Sequence, residues 1–337
     1  MTKGVIFVTG VNGHIGNHIV ADLLENGYSV KGSVRDLSDP KKTEHVYDRA
    51  RKLNCLDRLE LVEGDVLKPQ GWAIAMEGCD VLLHTATVYS TRDDAQLILD
   101  TANEGTRNLF QAAKEANIPR IVYTSSVAAV GSEPKGVVKD ENNWQTNKDL
   151  PYTVAKTESE RIAWKLADEL DLDLRVINPS GVLGGDFVNP TPSVDYFEDA
   201  IKGKWPLAPK FPLAFVHVKD VARAHRLAFE VEDAAGRFIL APHSDSTIHE
   251  LMKRLRELYP NTKAPKKAMP QWMLPIAIAQ DWFMSLFGNE RTLTRQVVKG
   301  FMSGDAKYSS NKAEEILGLT DWVDFDTCIK DTAEMFL

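Results

Sequence analysis

Residues 4–16 read GVIFVTGVNGHIG, and this stretch decides the fold. Its first part, residues 4–9, is a short apolar run rich in β-branched residues, which is typical of a buried parallel strand. Apolar residues then recur at helical spacing until Gly27, where a helix is expected to end. The sequence therefore predicts a strand, a glycine-rich turn and a helix in immediate succession.

The turn holds three glycines, Gly10, Gly13 and Gly16, in the spacing G-x-x-G-x-x-G. The first glycine permits a tight turn, the second lets the backbone approach a pyrophosphate, and the third lets the helix pack closely on the strand. The helix N-terminus adds N–H groups and a dipole that favour an anion. We therefore expect this turn to bind a dinucleotide.

Two histidines, His14 and His18, lie one helical turn apart in the same segment. Such a pair could bind a metal ion, but no carboxylate or cysteine accompanies it at ligand spacing. We therefore predict that the protein has no metal site.

The end of the second predicted strand bears on the choice of cofactor. Residues 28–36 read YSVKGSVRD, which puts Val34 where an NAD-binding unit would place an acidic residue. Arg35 comes next, and a guanidinium group suits a 2′-phosphate. Lys41 and Lys42 could add positive charge. We therefore predict NADP(H), although a register shift of one or two residues would make Asp36 a ribose acceptor and favour NAD.

Composition narrows the class of protein. The chain has 337 residues, is 43% hydrophobic and carries a net charge of −8. It is long enough to bury a large core, and its acidity argues against a nucleic-acid-binding surface. Cys55, Cys79 and Cys328 are far apart and lack C-x-x-C spacing, as expected in a reducing compartment. With no signal peptide before the first strand, we expect a cytoplasmic protein, either a monomer or a homodimer.

An apolar stretch near the C-terminus, residues 272–287, resembles a membrane segment only superficially. Gln280 and Asp281 interrupt it, and it is too short and too polar to span a bilayer. We expect it to form a helix that docks on its own domain, with an exposed amphipathic surface helix as the alternative. No membrane span is predicted.

Strand and helix patterns alternate over the first two-thirds of the chain. After the first two strands, further strands are predicted at Leu59–Glu63, Val81–Thr85, Ile121–Ser125 and Leu174–Asn178, with helices at about 93–117 and 152–170. Such alternation predicts an α/β fold, a doubly wound parallel sheet of the Rossmann type with its ligand crevice at the carboxyl ends of the strands.

A smaller, mostly helical C-terminal substrate lobe is expected to cover the crevice, because the alternation loosens after about residue 180 and prolines then cluster. We assign residues 1–180 to an NADP-binding domain, to which about 213–243 return. Residues 181–212 and 244–337 are assigned to the substrate lobe.

Tyr152 and Lys156 lie four residues apart at the start of a predicted helix, which places both on one face. An ammonium group beside a phenol favours the phenolate, so Tyr152 is a candidate proton donor to a carbonyl oxygen. Ser125 and Ser126, at the end of the preceding strand, both put a hydroxyl near the crevice. The residues alone leave open which serine acts.

Together these motifs resemble those of the extended short-chain dehydrogenase/reductase family. The resemblance runs through the glycine turn, Gly64-Asp65-Val66, Thr124-Ser125-Ser126, Tyr152 to Lys156, Asn178-Pro179, residues 215–222 (FVHVKDVA) and residues 308–318. Residues 34–36 and 41–42 look most like the dihydroflavonol-4-reductase-like branch, which contains NADPH-dependent ketone and aldehyde reductases.

The resemblance implies a role for each matching residue. Ser126, favoured over Ser125 by the match, would polarise a carbonyl, Tyr152 would protonate its oxygen as hydride arrives, and Lys156 would hold the nicotinamide ribose and lower the tyrosine's pKa. Cofactor contacts are expected at Gly10, Asn12, Gly13, His14, Ile15, Gly16, Arg35, Lys42, Asp65, Val66, Thr85, Ala86, Thr87, Thr124, Tyr152, Lys156, Pro179, Gly181 and Val182.

The chain also departs from that branch. Gly131 stands where flavonoid reductases carry an amide or an acid, and the cinnamoyl-CoA reductase signature is absent. We therefore expect a different carbonyl substrate, apolar or aromatic. Residues that could line its pocket are Tyr89, Trp144, Phe187, Tyr196 and Phe197.

Two alternatives to a carbonyl reductase stay open. The Ala-Val-Gly ending at Gly131 is similar to that of sugar-nucleotide epimerases, so an NAD(P)-dependent epimerase, dehydratase or hydroxysteroid dehydrogenase is one alternative. The other is a sensor that binds NADP without turnover. Retention of Tyr152 and Lys156 argues against the sensor.

Overall fold

A computed structural model describes residues 2–86, 95–148, 150–287 and 293–337. Two residues that carry predictions, Thr87 and Tyr89, lie outside these ranges.

The described residues form one large and one small sheet. The strands are β1 (Val5–Thr9), β2 (Ser29–Val34), β3 (Leu59–Glu63), β4 (Val81–His84), β5 (Arg120–Thr124), β6 (Asp173–Pro179), β7 (Gly181–Leu183), β8 (Pro212–His217), β9 (Gly236–Leu240) and β10 (His243–Thr247). The large sheet has the order β3-β2-β1-β4-β5-β6-β9, and every neighbouring pair in it is parallel. The predicted doubly wound fold is confirmed.

Helices cover both faces of the large sheet and build the C-terminal part. They are α1 (His14–Glu25), α2 (Pro40–Lys52), α3 (Trp72–Met76), α4 (Ala95–Glu115), α5 (Val127–Val130), α6 (Pro151–Leu170), α7 (Asp195–Lys202), α8 (Val218–Glu230), α9 (Ile248–Leu258), α10 (Leu274–Ser285), α11 (Arg295–Ser303), α12 (Asn311–Leu317) and α13 (Phe325–Ala333), with 3-10 turns at Leu56–Arg58 and Gln271–Met273. Among these, α1 packs against α8, and α4 packs against α6.

Strand β1 shows why the first predicted segment is apolar throughout. Ile6 and Val8 belong to the core beneath α1 and α8, whereas Phe7 belongs to the core beneath α4 and α6. All three are at most 1% exposed. Side chains alternate between the two faces of a strand, so a strand covered on both faces has no polar position. Each such burial contributes about 1.5–3 kcal/mol.

The small sheet joins the two parts of the molecule. β7 continues the chain directly after β6 and pairs in parallel with β8, which pairs antiparallel with β10. A separate apolar core lies beside this sheet and includes Phe197, Phe215, Leu251, Leu255 and Ile329. Within the segment predicted to return to the cofactor domain, β9 enters the large sheet and β8 the small one. The domain boundaries themselves stay a prediction.

Candidate active site

The glycine turn connects β1 to α1 in a conformation that side chains would prevent. Gly10 has φ +68°, in the left-handed region that favours glycine. A Cβ on Gly16 would lie 2.3 Å from the carbonyl oxygen of Gly10. Gly13 is the N-cap of α1, and no side chain caps that first turn. The turn is thus a backbone cradle at a helix N-terminus, which suits a phosphate group.

Thr9, at the end of β1, fixes the neighbouring strand end. Its Oγ1 accepts hydrogen bonds from the backbone N–H groups of Thr85 and Ala86, both at 3.0 Å. With its lone pairs occupied, the hydroxyl donates to Nδ1 of His84, 3.0 Å away. Burial, helped by the charge of Lys156, lowers the pKa of His84 to about 3, so this histidine is neutral. The sequence analysis did not identify Thr9, because a threonine at the end of a strand is too common to indicate a functional role.

Arg35 and Asp36 differ in their surroundings after β2. Arg35 is exposed and lines the cleft next to the glycine turn. Asp36 accepts hydrogen bonds from the backbone N–H and hydroxyl of Ser38, at 3.0 and 2.7 Å. The Nζ of Lys42 lies 3.6 Å from Asp36 and 3.5 Å from Asp39. Within the described residues, the guanidinium therefore faces the cleft, whereas Asp36 and Lys42 are engaged with each other outside it.

Lys156 is a buried cation at the end of β5. It is 4% exposed, and its Nζ donates a 3.0 Å hydrogen bond to the backbone oxygen of Thr124. Burial lowers the pKa of Lys156 to about 8, although the charge of Glu160 acts in the opposite direction. Tyr152, one turn earlier on α6, lines the same cleft. The structure thus brings the predicted phenol and ammonium to one side of the cleft.

The two candidate serines have different partners. Ser125 is buried, and its hydroxyl donates to Oε2 of Glu160 at 2.5 Å. Ser126 is half-buried and caps α5, where its Oγ accepts a 3.1 Å hydrogen bond from the N–H of Ala128. That bond uses a lone pair of Ser126 and not its proton. Of the two, Ser126 is placed to donate a hydrogen bond into the cleft.

A buried charge network lies behind the serines. Glu160 is fully buried, lies 2.6 Å from Nε of Arg237, and accepts a 2.9 Å hydrogen bond from Nδ2 of Asn178. The Arg237 guanidinium lies 4.2 Å from the ring centre of Trp144, which therefore packs on a cation and does not line the substrate pocket. Sequence reasoning missed this network. The sequence feature that could have indicated it is Glu160, which lies one turn after Lys156 on the predicted helix.

One continuous cleft of about 1580 Å³ connects these groups. All predicted catalytic and cofactor-contacting residues that the structure describes line it, except Lys42. Its volume exceeds the roughly 300–1,000 Å³ of typical ligand pockets, so it has room for a dinucleotide and a second molecule.

The half of the cleft away from the glycine turn is mainly apolar. Its wall includes Trp205, Leu207, Phe211, Leu213, Phe215, Ile248, Met269, Leu274 and Phe301. Tyr196 also lines it, but Phe187 and Phe197 are buried in the adjacent core. Among the described residues of this half, Lys204 is the one cation, and it lies 2.7 Å from Asp199.

The histidine pair of α1 is engaged with the backbone. Nε2 of His14 and Nε2 of His18 lie 3.2 and 3.1 Å from the backbone oxygen of Gly185. A carbonyl oxygen only accepts, so both nitrogens carry protons and donate to it. Burial lowers the pKa of His14 to about 4 and that of His18 to about 3. In the described part of the chain, no three metal-ligating side chains cluster.

Comparisons with known proteins give a consistent group of relatives. A family model described as NAD dependent epimerase/dehydratase family matches residues 6–239. A cinnamoyl-CoA reductase of Medicago truncatula is 37% identical over 280 residues, which cover 78% of this chain and 83% of the relative. A bifunctional dihydroflavonol 4-reductase/flavanone 4-reductase of Malus domestica is 31% identical over 277 residues, covering 78% of each.

A solved structure shares the fold. The yeast methylglyoxal/isovaleraldehyde reductase Gre2, complexed with NADPH, matches with a TM-score of 0.76 and 22% identity over 98% of both chains. The two plant relatives are named for the substrate classes that Gly131 and the missing signature argue against. The expectation of a different substrate stays a prediction.

Proposed function

The chain belongs to the NAD-dependent epimerase/dehydratase family, the extended short-chain dehydrogenases/reductases, and we propose that it is an NADPH-dependent reductase of ketones or aldehydes. The observation that carries the proposal is the single cleft that joins the glycine turn, Ser126, Tyr152 and Lys156 to an apolar lobe. Such a cleft can hold a dinucleotide and a small carbonyl compound side by side.

The residues of the glycine turn fit a dinucleotide. The cradle at Gly10 and Gly16 has no space for a Cβ, and the uncapped start of α1 offers amide groups to the pyrophosphate. Arg35 supports NADPH over NADH, because its exposed guanidinium at the cleft edge suits a 2′-phosphate. The carboxylate of Asp36 accepts a hydrogen bond from the hydroxyl of Ser38, and Asp36 is not among the residues that line the cleft.

The nicotinamide supplies hydride when the cofactor is bound. Ser126 donates a hydrogen bond to the carbonyl oxygen and polarises the substrate. Tyr152 then transfers its phenolic proton to that oxygen, which completes the alcohol. The ammonium of Lys156, held by the backbone oxygen of Thr124, stabilises the phenolate that remains.

Tyr152→Phe tests this mechanism, because it removes the proton donor and keeps the ring. We expect carbonyl reduction, followed by NADPH oxidation, to fall by about 10²-fold or more, since general acid catalysis contributes about 10²–10⁴-fold. NADPH binding, measured by fluorescence titration, should be nearly unchanged. Tyr47→Phe on α2, outside the cleft, is the matched control and should keep full activity. A Tyr152→Phe enzyme within about tenfold of wild type would reject the mechanism.

The stoichiometry separates a reductase from an epimerase of the same family. A reductase consumes one NADPH for each alcohol formed and releases the oxidised cofactor. An epimerase regenerates its cofactor in every turnover, so the nicotinamide absorbance would stay flat while product accumulates. We expect equal amounts of alcohol and oxidised cofactor.

A further inference from the structure

Helix α10 has one face on the cleft and an apolar outer face. Its cleft face consists of Leu274, Ala277, Gln280, Asp281 and Met284. Ile276 and Phe283, two turns apart on the other side, are 54% and 53% exposed. A contiguous patch of exposed large apolar side chains marks a surface that contacts another molecule or a membrane. The outer face of α10 is therefore a surface on which the described residues of the chain do not pack.

Aromatic side chains dominate this outer surface. Beside Phe283, the exposed aromatic side chains are Trp282 on α10 at 51%, Trp272 just before the helix at 68% and Phe287 just after it at 70%. The rings of Phe283 and Phe287 are 5.1 Å apart and form one patch. Exposed tryptophan and phenylalanine side chains on and beside an apolar helix face are typical of segments that lie in the headgroup region of a membrane.

The segment of the sequence that contains the patch has a charge opposite to that of the protein as a whole. Residues 263–299 contain six Lys and Arg against two Asp and Glu, a net charge of +4 in a chain that carries −8. Lys266 and Lys267 are exposed and precede the patch, and Arg295 is exposed on α11 after it. Positive charge beside an apolar helix face attracts anionic lipid headgroups.

We propose that the outer face of α10 docks on an anionic lipid surface, with its aromatic side chains in the headgroup region and the flanking lysines near the lipid phosphates. The helix lies on the surface and does not cross it, and no helix of the described residues is long and apolar enough to span a membrane. Since the inner face of α10 lines the cleft, an apolar carbonyl compound dissolved in lipid would enter beside it. That last consequence rests on the proposed reductase function.

Charge argues against a second copy of the chain as the occupant. A symmetric dimer through α10 would bring two segments of net charge +4 together, which like-charge repulsion disfavours. An anionic lipid surface satisfies both the apolar patch and its basic border.

Vesicle flotation tests the proposal with no cofactor or substrate, so its outcome is independent of the reductase assay. The protein should float with phosphatidylcholine vesicles that contain phosphatidylglycerol and not with phosphatidylcholine alone, and its tryptophan emission should shift to the blue. Ile276→Ser/Phe283→Ser should lower the bound fraction by about tenfold or more. Ile74→Ser on α3, where Ile74 is 73% exposed, is the matched control and should bind like wild type.

A separate variant tests the contribution of positive charge to vesicle binding. Lys266→Glu/Lys267→Glu should lower binding to the anionic vesicles by about tenfold, whereas Lys114→Glu/Lys165→Glu, on α4 and α6, should not. Melting curves would verify that every variant is folded. Equal binding to neutral and anionic vesicles, or unchanged binding by the α10 variant, would overturn the proposal. A dimer that only the α10 variant dissociates, with no vesicle binding, would overturn it in favour of a second copy.

Discussion

Lys156 shows how one residue can combine a structural cost with a chemical role. Its ammonium group is buried at the end of β5, where it donates a hydrogen bond to the backbone oxygen of Thr124 and interacts at longer range with the carboxylate of Glu160. Burial disfavours the charged form and lowers the pKa to about 8. The charge that would stabilise a phenolate at Tyr152 is therefore lost at only mildly alkaline pH.

The pH dependence of reduction should report this titration. We expect kcat/KM for NADPH, which reflects the free enzyme, to fall as pH rises through about 8, because Lys156 then loses its proton. The stability contribution of the same group has the opposite sign. Between about 8 and the ordinary lysine value of about 10.4, the unfolded chain binds more protons, so folding is favoured as pH rises. A fall in kcat/KM without a fall in melting temperature would show that Lys156 loses its proton in the folded enzyme. A kcat/KM that stays constant up to pH about 10 would contradict the role of Lys156 in catalysis.

Arg35 should control the choice between the two nicotinamide cofactors. Its removal in Arg35→Ala deletes the partner of a 2′-phosphate, and hydrogen bonds between charged groups contribute about 1.5–3 kcal/mol. We expect NADPH binding to weaken by about tenfold or more and NADH binding to stay the same, measured by titration with both cofactors. Lys42→Ala is the matched control, since Lys42 lies beside Asp36 and Asp39. An equal loss for NADH and NADPH would show that Arg35 does not contact the 2′-phosphate.

At the scale of elements, the hydroxyl of Thr9 helps to hold the end of β4 against β1, together with the hydroxyl of Thr85, which donates to the backbone oxygen of Thr9. Thr9→Val keeps the shape of the side chain but leaves the N–H groups of Thr85 and Ala86 without their acceptor. Each unsatisfied buried group costs about 1–3 kcal/mol, so we expect unfolding in urea at clearly lower concentration and weaker NADPH binding. Thr9→Ser retains the hydroxyl and should recover most of both properties. Equal behaviour of the two variants would show that packing, and not the hydrogen bonds, holds this junction.

Six of the seven strands of the large sheet could be predicted from the sequence because they are local patterns, whereas β9 was not predicted as a strand. β3 occupies the predicted residues. β4 ends one residue before its predicted end, and β5 and β6 differ from the prediction by one residue at both ends. Apolar runs of this length, separated by helical periodicity, have few other interpretations. The three-stranded sheet was not predicted, because β7 has only three residues and the pairing of β7 and β10 with β8 joins segments distant in sequence.

The predicted site residues also divide into those with a local sequence signal and those without one. Residues on one turn or one helix, such as Gly10 with Gly16 and Tyr152 with Lys156, are brought together by local geometry that spacing reveals. The distinction between Ser125 and Ser126 depends on Glu160, and the burial of Glu160 depends on Arg237 from β9. A glutamate on a helix is usually exposed. Its burial follows from tertiary packing that no local pattern encodes.

At the scale of the whole molecule, sheet and lobe supply different halves of one cleft. The carboxyl ends of β1, β2, β4 and β5 carry the groups that would hold a cofactor, and the lobe supplies an apolar wall. An anionic dinucleotide is thus matched by the backbone cradle and Arg35 at one end. The other end of the cleft offers little positive charge in the described residues, because its cation, Lys204, is paired with Asp199.

This distribution of charge predicts the substrate class. We expect neutral apolar ketones and aldehydes to be reduced and cinnamoyl-CoA to be a poor substrate, because the phosphates of coenzyme A need cations that the lobe half of the cleft does not provide. NADPH oxidation with an aromatic aldehyde, an apolar ketone and cinnamoyl-CoA, each at matched concentration, measures the preference. Lys204→Ala is informative here, since it should not alter the reduction of neutral compounds. If cinnamoyl-CoA gave the highest kcat/KM and Lys204→Ala lowered it selectively, the substrate would be an acyl-CoA and the preference for neutral compounds would be wrong.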